Sequence, residues 1–180
     1  MLLSCWSYTL GLILVVFGGV VLVKPTVASR ALNALPRSKA AGHVLSVLAW
    51  AWAAYAVYSL DLDIINPYKY LLPFLLLAVI PLTWFWMGNL LSCRAFGGIL
   101  TLFPYALLIT ARHHPSAWRL VLVTLAYIAI VQGMVFLLYP WKMRQQIVWF
   151  TATPLRFRST GFLCVLLGFL LIALGAMVLR

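Results

Sequence analysis

Residues 119–139 read RLVLVTLAYIAIVQGMVFLLY, residues 140–159 read PWKMRQQIVWFTATPLRFRS, and residues 160–179 read TGFLCVLLGFLLIALGAMVL. Two apolar runs, each near the roughly 20 helical residues that cross a hydrocarbon core, flank a basic segment punctuated by prolines. Working outward, the same texture covers the whole chain. Apolar segments lie at about 4–23, 43–60, 70–91, 97–111, 119–139 and 160–179. Of 180 residues, 66% are hydrophobic, 13 are basic and 2 are acidic, and the mean hydropathy is +1.08. A soluble domain carries about a quarter of its residues as charges. So few charges exclude a soluble enzyme, a secreted module and a disordered chain. The pattern predicts an all-α polytopic membrane protein, a single membrane domain over 1–180 with six transmembrane helices and two cytoplasmic interfacial amphipathic helices.

The distribution of charge sets the expected orientation. Lys24, Arg30, Arg37 and Lys39 separate segments one and two, Arg94 precedes segment four, and Lys142, Arg144, Arg156 and Arg158 separate segments five and six. The other side holds Lys69, Arg112, Arg119 and Arg180 together with Asp61 and Asp63. Basic residues accumulate on the cytoplasmic side, which places both termini outside a cell inner membrane. No charged side chain precedes Lys24, the reverse of a cleavable signal peptide, so the first segment is expected to be a retained span. Segment four is short and contains Pro104, which suggests a thin, tilted or re-entrant element. Tyr55, Tyr58, Tyr68 and Tyr70 on one side, and Trp84, Trp86, Tyr139, Trp141 and Trp149 on the other, suit membrane interfaces. The formal charge of +11 is thus assigned to orientation and to membrane lipids, not to nucleic acid.

The basic segments look repeated. Residues 17–50, FGGVVLVKPTVASRALNALPRSKAAGHVLSVLAW, place Gly18 seven residues before Pro25, as Gly133 stands seven before Pro140. A second proline follows in each, Pro36 and Pro154, then Arg37 with Lys39 or Arg156 with Arg158, then Gly42 or Gly161. Hairpins 4–60 and 119–179 would then flank a central hairpin 70–111. Proline just past a span stops it and suits the first turn of the next helix. Residues 26–35 are expected to form an interfacial helix with Val27, Ala31 and Leu35 on its apolar face and Leu32 beside it. The second copy offers Met143, Ile147 and Phe150. Ser38, and Ser159 or Thr160, are the expected caps of the returning spans. The eight cations Lys24, Arg30, Arg37, Lys39, Lys142, Arg144, Arg156 and Arg158 are the expected lipid-headgroup contacts.

The run GMVFLLYP at 133–140, the basic stretch after it, Pro154, Arg158 and the glycine-bearing last span resemble the YjeT-type small bacterial inner-membrane proteins, two-helix hairpins of uncharacterised function. The resemblance covers about 130–178, and more weakly the first hairpin. It implies a bacterial inner membrane and brings no catalytic or ligand residue with it.

Little in the chain points to chemistry. The only acids, Asp61 and Asp63, fall outside the apolar segments, which argues against a carboxylate-driven pump. His113 and His114 lie on the expected outer side and His43 on the inner side, a poor arrangement for a haem or a metal. Cys5, Cys93 and Cys164 form no pair with metal-binding spacing. No nucleotide fingerprint and no hydrolase motif is present. Gly161, Gly168 and Gly175, spaced by seven, share a helix face and suit close helix packing. No catalytic residue, cofactor or metal is therefore expected. The expected function is a non-enzymatic integral membrane subunit that scaffolds a larger complex with other membrane protein subunits. The alternative is a channel or facilitator for a small or lipidic solute.

Overall fold

The computed structural model of the chain describes residues 2–59, 66–87, 90–112 and 116–177. Asp61, Asp63, His113, His114 and Arg180 lie outside these residues. The architecture is all-α, with no strand among the described residues. Among the described residues, six helices are long and apolar enough to cross a membrane, as a multi-pass protein requires. In chain order the helices are α1 (Leu2–Val23), α2 (Pro25–Ala34), α3 (Lys39–Ser59), α4 (Leu72–Trp86), α5 (Leu91–Arg112), α6 (Arg119–Leu138), α7 (Pro140–Thr151) and α8 (Pro154–Met177). Short 3₁₀ turns at Leu35–Arg37 and Asn66–Leu71 lead into α3 and α4.

Glycine dictates the tightest contact. On α1, Gly11 and Gly18 face Gly168 and Gly161 of the antiparallel α8. A Cβ built on Gly18 would lie 2.6 Å from the carbonyl oxygen of Gly161, and one on Gly168 would lie 2.7 Å from that of Gly11. Only a hydrogen fits, so the backbones touch, the usual way to gain dispersion energy where lipid removes any hydrophobic drive. Gly175 continues the seam against Ser7, whose hydroxyl donates to the carbonyl of Leu171. The hairpin α5–α6 repeats the device, with Gly97 and Gly133 each approaching the other's carbonyl oxygen. Helix α3 lies parallel to α5, with Gly42 against Leu91 and Ser92, and Ala49 against Gly98 one heptad on.

The spans flanking each interfacial helix find their main partners elsewhere: α1 packs chiefly on α8, and α6 on α5. Length explains this. Ten residues of α2 extend about 15 Å, more than the 8–10 Å between packed helix axes. A core of Leu3, Leu107, Leu122 and Leu171 fills the end remote from α2 and α7. Val21, Ala28 and Phe157 form a smaller cluster at the opposite end, as do Cys93, Phe136 and Met143.

Two local expectations are corrected and one is refined. Segment four is a full helix of 22 residues, not a short element beginning at residue 97. Its first turn simply includes Arg94, and Pro104 is fully buried among neighbours. On α2, Val27 of the expected apolar face is exposed, as a face turned to lipid is, and Ala28 with Leu32 packs on the bundle. The reason is tertiary, because Val21 and Phe157 approach from that side. Finally, Ser38 caps α3, its Oγ accepting from the N–H of Ala41 at 3.2 Å, but Ser159 and Thr160 cap nothing. Pro154 starts α8 rather than ending α7, so both hydroxyls lie inside α8 and donate to the carbonyl of Arg156.

Candidate functional site

All eight basic residues of the two linking segments gather at one end of the bundle and are exposed there. Helices α2 and α7 lie side by side, joined by Asn33 Nδ2 donating to Thr151 Oγ1 at 3.4 Å. Gln132 Nε2 donates to Gln146 Oε1 at 2.7 Å and ties α6 to α7. Arg156 stacks over Trp149, 5.1 Å from the ring centroid. Lys24 precedes α2 and Lys142 lies in the first turn of α7.

Three of these cations converge. Arg37 from the 3₁₀ turn, Lys39 from the start of α3 and Arg144 from α7 line one cavity of about 530 Å³. Pro36, Ser38, His43, Trp84, Leu90, Leu91 and Ser92 complete its walls. The N-termini of α3 and α5 both open into it, adding the positive ends of two helix dipoles. Leu90, just before α5, has φ of 65° and accepts from the N–H groups of Cys93 and Arg94 at 3.1 and 3.3 Å. A leucine held in the left-handed region costs about 1–2 kcal/mol, and such strain clusters at ligand sites. No acidic side chain occurs among the described residues, so none of them neutralises this cavity. Lys24, Arg30, Lys142, Arg156 and Arg158 do not line it.

Leu91 also belongs to a second hollow, an apolar groove of about 280 Å³ between α3, α4 and α5. Ala49, Ala53, Ala95 and Gly98 keep it open, and Leu102 and Leu137 add apolar wall. Arg94 lies in it, and its buried Nε has no hydrogen-bond partner among the described residues. Trp84 closes the edge of the cavity. Its Nε1 donates to Ser46 Oγ at 2.8 Å, Ser46 Oγ donates to the His43 carbonyl at 2.8 Å, and the His43 ring lies 4.5 Å from the indole.

That contact is also a main attachment of α4. No residue of α4 is buried, whereas every other candidate span has buried positions. Phe74, Leu77, Phe85 and Trp86 are widely exposed.

Ser46 and Ser92 were not singled out by the sequence, Trp84 was read only as an interfacial aromatic, and Arg94 only as an orienting charge. Arg94 had a signal, as a lone charge entering an apolar run. The others are ordinary interfacial residue types. Among the described residues, no group of three or more His, Cys, Asp or Glu side chains is placed to hold a metal ion. The free Cys5, Cys93 and Cys164 lie on three different helices. No protein-family model, curated protein or solved structure matches the chain.

Proposed function

We propose that this chain is a non-enzymatic subunit of a larger assembly in a bacterial inner membrane, with its basic end in the cytoplasm and both termini outside. Other membrane protein subunits are its partners, and membrane lipids surround the basic end. The observation that carries this reading is Pro81. Proline has no N–H to offer the carbonyl of Leu77 four residues earlier. In hydrocarbon an unmet backbone group costs several kcal/mol, so proline in a span relies on neighbouring helices, hydroxyl side chains, water or a local tightening of the helix to cover the gap. Pro104 of α5 has such cover, being fully buried. Pro81 is exposed, and Leu77 is 74% exposed. A helix from another subunit against this face would supply what the chain's own helices do not.

The solute-facilitator alternative needs a route through the bundle. The fully buried Leu3, Leu107, Leu122 and Leu171 at the remote end favour the scaffold instead. Native mass spectrometry of the protein released from its own membranes tests the reading. A complex of fixed stoichiometry with another membrane protein is expected. A bare monomer under conditions that preserve known membrane complexes would overturn it.

A further inference from the structure

We infer that the basic cavity and the adjoining groove form one binding site for an anionic phospholipid, with the phosphate among Arg37, Lys39 and Arg144, an ester carbonyl on Arg94 and one acyl chain in the groove. The site uses Thr83 and Trp84 of α4 and not the Leu77 and Pro81 face assigned to the partner, so it survives if no partner is found.

The chemistry is graded along a single path. At its outer end, three cations from three separate elements and two helix N-termini face one space, and no acid among the described residues opposes them. Such a space suits a phosphodiester, which accepts hydrogen bonds and carries negative charge. Leu91 is the shared wall where this space meets the groove. One helical turn further along α5 sits Arg94, with a buried Nε that lacks an acceptor among the described residues. Buried donors left without partners are rare and call for a missing acceptor. In a lipid, the acceptor found just inside the phosphate is the ester carbonyl. Beyond Arg94 the walls are Ala49, Ala53, Gly98 and Leu102, apolar and mostly small. The groove's 280 Å³ takes on the order of nine groups of water or methylene size, enough for the upper part of one acyl chain. A free phosphate would leave both Arg94 and the groove unused.

The test uses the full-length protein in mild detergent, titrated with diacyl phosphatidylglycerol or diacyl phosphatidylcholine and read by native mass spectrometry. One phosphatidylglycerol per chain is expected, held about tenfold more tightly than phosphatidylcholine, whose choline cation the three basic side chains repel. The double variant Arg37→Gln/Arg144→Gln, at exposed positions that leave folding intact, should lose that preference. Arg156→Gln/Arg158→Gln removes equal charge outside the cavity and should keep it. The diether form of phosphatidylglycerol lacks the carbonyls and should bind several-fold more weakly. Arg94→Met should erase the difference between ester and ether. Equal retention of the two headgroups, equal loss in both double variants, or indifference of the wild type to the ester would each overturn the assignment. Displacement by excess inorganic phosphate would reveal a free-anion site and overturn it too.

Discussion

At Gly18 the protein has no room for a methyl group. Its Cβ would stand 2.6 Å from a carbonyl oxygen that belongs to another helix's backbone and cannot rotate away. Gly18→Ala and Gly168→Ala should each lower stability by about 1–3 kcal/mol, the usual cost of overpacking. Gly19 faces open space, so Gly19→Ala should be neutral or slightly stabilising, by at most about 1 kcal/mol. Unfolding in mixed micelles reads all three, and equal effects at Gly18 and Gly19 would mean that α1 and α8 are not in backbone contact. Ser7→Ala removes the hydroxyl bonded to Leu171. Its cost should be smaller, about 0.6 kcal/mol, because polar contacts within membranes are individually weak. Sequence spacing put Gly161, Gly168 and Gly175 on one face. It could not name α1 as the neighbour, because no local property of α8 selects among five other spans.

Among the elements, α4 is the least secured. Ser46 joins Trp84 to α3, so Ser46→Ala should loosen α4 without disturbing the glycine seam. Hydrogen exchange in nanodiscs should speed up over residues 72–86 and stay unchanged in α1 and α8. A uniform change across the bundle would show that Ser46 supports the whole fold instead. Six spans and two interfacial helices were legible because proline and clustered charge interrupt the apolar runs so regularly. The start of α5 was not. Arg94 reads as a loop charge in sequence, yet it is a first-turn residue against α3. On α2 the sequence showed an apolar face but not which residues meet the bundle. Its apolar residues occupy more than one stripe, and only the approach of Val21 and Phe157 decides between them. The basic cavity draws on three elements, so its cations were visible one by one but not as a group.

At the scale of the molecule, charge and packing divide the protein into two unlike ends. One end is packed around a leucine core with Arg112 and Arg119 beside it, and the other carries the eight linking cations and the basic cavity. The proposed orientation puts the basic end in the cytoplasm, where basic residues accumulate. A cysteine introduced for Arg180, in a background with Cys5, Cys93 and Cys164 changed to serine, should react with an impermeant maleimide added to intact spheroplasts. Lys39→Cys in the same background should react only after lysis, and the reverse pattern would invert the topology.

The central claim, that another membrane protein covers α4, is tested most directly by a photo-cross-linking residue at Leu77 in native membranes. The comparison is the same probe at Leu163, an exposed position on α8 away from Pro81. The account predicts one protein adduct of fixed mass from Leu77, matching the partner seen in the intact complex, and lipid adducts from Leu163. Lipid adducts alone at both positions would contradict it.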